Sequence, residues 1–304
     1  MKSRFSTFPV YVFLTAAFFS CTAPVDINTR DSEPVIVIYG CLSDEHKNQS
    51  VRITSSSPYF DDKENGLVTD ADVRIKDSEG HDYTLLYGEN GYYFSDAGFD
   101  VRPGVTYHLI VNVDFDKDGT EETYEAVTTV LPLFTVDSIN VKPVTIMGYR
   151  HFSLNIYMQD SPETKDFYLF RFYVNDTLTN SRISDYVVAN DEFINGSYVE
   201  NAIYYFEDNT DKNAVKKNED DDSPFNEDYT VSPGDGIRLQ ILNIEEGYYT
   251  FINECSTEMR GQNPMFGGPP SNISTNLSGG AATGFFTGYC IHEKTAVVPG
   301  SFKE

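Results

Sequence analysis

The chain has no tryptophan, only four cysteines and five histidines, and a shortfall of positive charge. Its 22 Lys and Arg stand against 47 Asp and Glu, a formal net charge of −25. Each deficit excludes something. So acidic a surface repels a phosphate backbone, which argues against nucleic acid and against charge-driven adhesion to anionic lipid. The histidines (His46, His81, His108, His151 and His292) stand apart, and no HExxH, CxxC or Cys/His cluster occurs. No zinc site is therefore expected. There is no GxSxG elbow either. Carboxylates are plentiful enough for a paired-acid glycosidase. Sugar clefts favour tryptophan faces, however, and its absence weakens a glycan hydrolase. The expectation is a chain without enzymatic activity. Beyond residue 21 no apolar run is long enough to span a bilayer.

The one long apolar run is N-terminal. Lys2 and Arg4 precede Phe8–Phe19, and Ser20-Cys21 follows. A basic start, a short apolar stretch and a small residue before cysteine predict an export signal. Cleavage would follow Ser20, with acyl chains, palmitate among them, on Cys21. Phe18 stands where leucine is usual, and the other reading is an ordinary signal peptide with a chance cysteine. Lipidation of Cys21 leaves Cys41, Cys255 and Cys290, an odd number. Two readings then stand: a Cys255–Cys290 disulfide, which export permits, or three buried free thiols.

Aromatic residues are abundant, 22 Phe and 21 Tyr, and they favour strands. Residues 22–34 read as a polar tether. Short apolar or alternating segments follow at Val35–Tyr39, Ser50–Ser55, Asp70–Asp77, Tyr83–Tyr87, Tyr92–Phe94, Tyr107–Val113 and Tyr124–Val130. Turn signals separate them, as at Ser78–Gly80, Gly88–Gly91 and Arg102–Gly104. This pattern predicts an immunoglobulin-like β-sandwich over 35–131. Pro132 marks a junction to a β-rich C-terminal domain over 132–304. Its strands are expected at His151–Met158, Phe167–Val174, Tyr186–Ala189, Ala202–Phe206, Gly236–Ile244 and within Phe285–Val298. Asp160–Lys165 reads as a tight polar turn, and 208–228 as an acidic loop with almost no apolar residue. One amphipathic helix is expected over 246–260, where Tyr248, Phe251, Ile252, Cys255 and Met259 fall on one stripe. Glu245 and Glu246 suit its start, and Arg260-Gly261 its end. The class is all-β with this one helix.

The sharpest local motif is Asp114–Glu125, which fits D-x-[DN]-x-[DN]-G-x5-E. Calcium takes about six to eight oxygens. The spacing offers carboxylates from Asp114, Asp116 and Asp118, the Thr120 carbonyl and a bidentate Glu125. The flanks, however, predict strands rather than helices. Either a hairpin tip curls its acids around Ca2+, or the segment is an acidic turn with Gly119 at positive φ. In the first case Glu125 lies along the ladder and points away.

Motifs in a fixed order run along nearly the whole mature chain. They are Cys21, Pro34–Gly40, Thr54–Phe60, Asp70–Ile75, Gly91–Tyr93, Pro103–Leu109, Thr135–Ile139, Phe167–Leu169, Tyr248–Phe251, Asn263–Gly267, Ser271–Ile273 and Gly279–Phe286. In that order they resemble the lipoprotein family catalogued as domain of unknown function 4249 (DUF4249). The resemblance implies an outer-membrane lipoprotein with an N-terminal β-sandwich and a β-rich C-terminal part. It also implies an accessory partner of TonB-dependent receptor barrels. It transfers no residue role except lipidation of Cys21. The expectation is a non-catalytic, ligand-binding subunit of a nutrient uptake system, anchored to either face of the outer membrane. The alternative is a structural or adhesive surface module without a transport partner.

Overall fold

The computed structural model describes residues 34–45, 48–57, 65–132, 134–211, 229–261 and 273–300. Cys21, residues 22–33 of the tether, most of the acidic loop and Asn263–Asn272 lie outside them.

Alternation in the sequence builds the first sheet. In β1 (Ile36–Ser43), β3 (Asp72–Asp77) and β6 (Thr106–Val113) buried and accessible side chains alternate, because successive side chains leave a strand on opposite faces. With β2 (Ser50–Ser55), β4 (Asp82–Tyr87), β5 (Tyr92–Phe94) and β7 (Glu122–Thr129) they form one path, β1-β2-β5-β4-β3-β6-β7. β4 changes sides along its length. Its Asp82–Leu85 pairs with β3, whereas Leu86 and Tyr87 pair with β5. The path thus folds over one core, to which Ile36, Ile38, Val51, Ile53, Val73, Ile75, Leu109 and Val111 contribute.

Beyond Pro132 two more sheets form. One holds β10 (Phe167–Val174), β11 (Thr177–Leu178), β12 (Val187–Asn190), β15 (Gly236–Asn243) and β17 (Ile291–Val297). The other holds β8 (Val136–Ile146), β9 (Tyr149–Gln159), β13 (Tyr198–Asp208) and β14 (Thr230–Val231). Phe152, Leu154, Phe172, Phe206, Leu239 and Ile241 lie in the core they share. The pattern did not predict β8. It carries Pro143 and several exposed residues, which an edge strand tolerates. The opposite faces of β10 and β15 are apolar too. Phe167, Leu169 and Leu242 lie in a third core with helix α1 (Glu246–Gly261). Covered on both faces, these two strands read as nearly unbroken apolar runs. Tyr248, Phe251, Ile252 and Cys255 are the buried stripe of α1, while Met259 is 43% exposed and falls outside it.

The last element of the first sheet comes from the far end of the chain. β16 (Ala282–Tyr289) lies parallel to β1, with Ile38 opposite Gly284 and Gly40 opposite Phe286. A boundary at 131/132 therefore does not separate two cores, and Pro34–Glu304 forms one compact unit. Phe286 enters the first core, while Phe285 and Tyr289 join Tyr39 and α1 in the third. Two glycines permit this approach. A Cβ on Gly40 would come within 3.0 Å of both the Phe286 ring and Val51. Gly284 has φ +107°, and a Cβ there would stand 2.1 Å from the Ile38 carbonyl oxygen. The free edges then meet. Ser278 and Glu125 exchange backbone hydrogen bonds of 2.8 and 3.0 Å. Gly288 N–H donates to Thr128 Oγ1 at 3.0 Å, and that hydroxyl donates to Glu245 at 2.5 Å, just ahead of α1.

Gly284→Ala should destabilise the protein by about 2–4 kcal/mol, combining left-handed backbone strain with a backbone clash. Urea unfolding checks this. An unchanged midpoint would overturn the assigned register of β16 on β1.

Candidate functional site

The Asp114–Glu125 motif forms the tip between β6 and β7. Asp114, Asp116, Asp118 and Glu122 each bring one carboxylate oxygen within 4.8 Å of the others. The loop shapes itself through its own acids. Gly119 N–H donates to Asp114 (3.1 Å), Asp118 N–H to Asp116 (3.0 Å), Thr120 N–H to Asp118 (2.8 Å) and Phe115 N–H to Glu122 (2.8 Å). Lys117 at φ 62° and Gly119 at φ 92° turn the chain. The Lys117 ammonium leaves the cluster for Asp70 at 2.8 Å, and that bond holds the Asp70 carboxyl below the usual carboxylate range. Asp114 Oδ1 is buried and without a hydrogen-bond partner among the described residues.

Glu125 does not join the cluster. It pairs with Ile110 in the ladder, and its carboxylate lies 3.7 Å from His108 Nε2. A helix after a calcium loop would carry the twelfth residue back to the ion. Here β7 starts at Glu122 and carries Glu125 along the ladder. Glu122, at the ninth motif position, takes its place. The donors are hard oxygens, so Asp114, Asp116, Asp118 and Glu122 suit a cation such as Ca2+.

A second cluster, Asp77, Glu79 and His81, is already internally paired. Asp77 Oδ1 accepts the N–H groups of Glu79 (3.0 Å) and His81 (2.9 Å), and Oδ2 faces His81 Nδ1 at 2.7 Å. Arg102 pairs with Glu79 and lies 3.8 Å from Asp77. Burial pushes the Asp77 carboxyl up, but the N–H groups and the His81 ring outweigh it and hold it below the usual range. This cluster tightens the β3–β4 turn.

The three described cysteines are free thiols, so the expected Cys255–Cys290 disulfide is not formed. Cys255 faces the third core from α1, whereas Cys290 points into the first. Burial pushes the Cys255 thiol up to about 11 and the Cys290 thiol up to about 12. Both therefore stay protonated and unreactive near neutral pH. Cys41 Sγ lies 3.8 Å from the Tyr248 hydroxyl, which is 2.6 Å from that of Tyr39.

The first sheet also exposes an aromatic face. Leu86 on β4, 71% exposed, lies opposite Phe94 on β5, and Tyr92 lies opposite Arg52 on β2. The Tyr92 and Phe94 rings stack with centroids 5.9 Å apart, and the Arg52 guanidinium sits 5.4 Å over Tyr92. Tyr93 between them points inward, where its hydroxyl donates to the Val68 carbonyl at 3.1 Å. In the sequence Tyr92–Phe94 reads as a strand and Gly91–Tyr93 as a family motif, with no face assigned to either ring. The 92/94 spacing on a strand was the signal that could have shown an outward pair.

Asp77 also yields a pH dependence. Its carboxyl is depressed in the folded state, so its charge adds stability above the unfolded value of about 4. That contribution is lost as pH falls through the folded value. Asp77→Asn should cost about 1–2 kcal/mol near pH 7, with the gap closing in acid. Thermal melts across pH check this, and a gap independent of pH would show that charge is not what Asp77 contributes.

Among known proteins, no curated protein matches this chain. Residues 22–295 match the family described as domain of unknown function DUF4249. The match begins just after Cys21 and ends within β17, so it takes in all three cores. The chain belongs to the DUF4249 family.

Proposed function

We propose that this chain is a non-catalytic outer-membrane lipoprotein, anchored through acylated Cys21, that serves as an accessory subunit of a TonB-dependent uptake receptor. The observation that carries the binding role is the outward face of Leu86, Tyr92 and Phe94 beside Arg52. Exposed large apolar side chains with an arginine are the composition of interface cores. The tether 22–34 supports a partner in the same membrane. At about 3.5 Å per residue it reaches no further than about 45 Å from the anchor, so the body stays beside any barrel embedded there. A net charge of −25 would hold it off anionic lipid and leave its faces open to protein. The second reading, an adhesive or structural surface module, would use the same aromatic face for another surface protein.

Two measurements test this. Cys21→Ser should lose metabolic palmitate labelling and leave the membrane fraction; persistence of both label and membrane association would overturn the anchor. Affinity purification of the tagged, lipidated protein from gently solubilised outer membranes should recover a receptor barrel in stoichiometric amount. Tyr92→Ser/Phe94→Ser should lose that barrel without a lower melting temperature. Reproducible absence of a barrel after cross-linking, with the bait intact, would overturn the uptake role in favour of the surface module.

A further inference from the structure

The turn between β9 and β10 hides more negative charge than a surface turn requires. Asp160 and Asp166 flank it, and Asp191 follows β12. Their side chains lie in residues only 1%, 7% and 2% exposed. One carboxylate oxygen of each lies within 4.8 Å of the other two. Among the described residues no lysine, arginine or histidine pairs with any of the three. Lys165, the nearest in sequence, sends its ammonium to Glu246 at 2.5 Å and acts on Asp191 only through space. Buried carboxylates without a directly paired counter-charge are unfavourable unless something neutralises them.

The hydrogen bonds present orient the carboxylates without matching their charge. Tyr168 O–H donates to Asp160 Oδ1 (2.5 Å) and Gly196 N–H to Asp160 Oδ2 (2.9 Å). Thr164 O–H donates to Asp166 Oδ2 (2.7 Å), and Asp166 N–H to Asp191 Oδ2 (2.9 Å). Asp166 Oδ1 and Asp191 Oδ1 accept no hydrogen bond among the described residues. Two open acceptor oxygens thus belong to residues 7% and 2% exposed, and both reach solvent, so an ion can enter from outside. Backbone bonds of 3.1 Å, Asp191 N–H to Asp166 O and Asp160 N–H to Ser197 O, tie the two loops together.

We propose that Asp160, Asp166 and Asp191 hold a divalent cation, suited to Ca2+, that clasps the β9–β10 turn to the loop after β12. Calcium binds oxygens at about 2.3–2.6 Å, so ligands on opposite sides of the ion stand about 5 Å apart. Three carboxylate oxygens within 4.8 Å of one another can therefore share one ion. Mg2+ needs shorter distances and stricter octahedral geometry, and Zn2+ prefers nitrogen and sulfur. The donors Tyr168, Gly196 and Thr164 form the outer layer that aims the ligands. A proton is the competing occupant, since burial and the adjacent Asp160 and Asp191 push the Asp166 carboxyl up. The site is independent of the uptake role and lies in a different sheet pair from the β6–β7 tip.

The test uses the full lipidated chain in detergent, chelator-treated, carrying Asp116→Asn/Asp118→Asn to silence that tip. It is titrated with Ca2+ by equilibrium dialysis and calorimetric melting. It is also titrated with Tb3+, whose luminescence is excited through tyrosine; the chain has no tryptophan, and Tyr168 bonds Asp160 directly. One ion per chain and a melting temperature raised by several degrees at millimolar Ca2+ are expected. Adding Asp166→Asn/Asp191→Asn should abolish both. In chelator that variant should melt at or above its parent, because the repulsion is gone. A folded parent that binds no Ca2+ and shows no shift overturns the proposal, whether or not the variant folds. So does a variant that keeps both signals.

Discussion

The parallel pairing of Ala282–Tyr289 with Ile36–Ser43 is the contact on which the rest of the chain depends. β16 has an apolar side chain for each of two cores. Phe286 fills the first, while Phe285 and Tyr289 reach the third. A slip of one residue would exchange these faces, and Gly284 against the Ile38 carbonyl together with Gly40 against the Phe286 ring prevents it. The first sheet is therefore complete only when the chain's far end returns. Such non-local pairing must offset a large loop-closure entropy before it stabilises anything.

Polar contacts at the junction give the pairing its direction. Thr128 links β16 to Glu245 by accepting from Gly288 N–H and donating to the carboxylate. Glu245 also accepts Thr129 N–H at 3.1 Å, while its carbonyl takes Tyr249 N–H at 3.0 Å and so begins α1. One residue thus sets where the helix starts and where it docks. The Tyr39–Tyr248 hydroxyl contact repeats the pattern deeper in the third core. The acidic tip and the three buried aspartates lie in turns at strand ends, whereas the aromatic face stands on β2, β4 and β5 in the middle of the first sheet.

Strand positions were largely legible. Ser50–Ser55, Tyr92–Phe94 and Phe167–Val174 fall where alternation and apolar runs place them. The helix stripe was legible through Cys255, but not at Met259, where the helix outruns what covers it. β8 was not, because an edge strand with Pro143 carries little buried pattern. In the calcium-like motif the order of acids was legible. The exchange of Glu125 for Glu122 was not, since it depends on where β7 takes up its pairing. The cysteines were ambiguous for the same kind of reason: count and compartment allow a bond that two separate cores forbid.

By itself the sequence determined the class, the family and the local elements. Those follow from period-two alternation, one helical stripe and turn residues, each a property of neighbours in the chain. Tertiary structure alone decided that β16 returns to β1, that Cys255 and Cys290 face different cores, and that Asp191 comes to lie beside Asp160 and Asp166. These pairings join residues far apart in sequence. Their energies come from burial, packing and charge proximity, which exist only once the sheets have closed around a common interior.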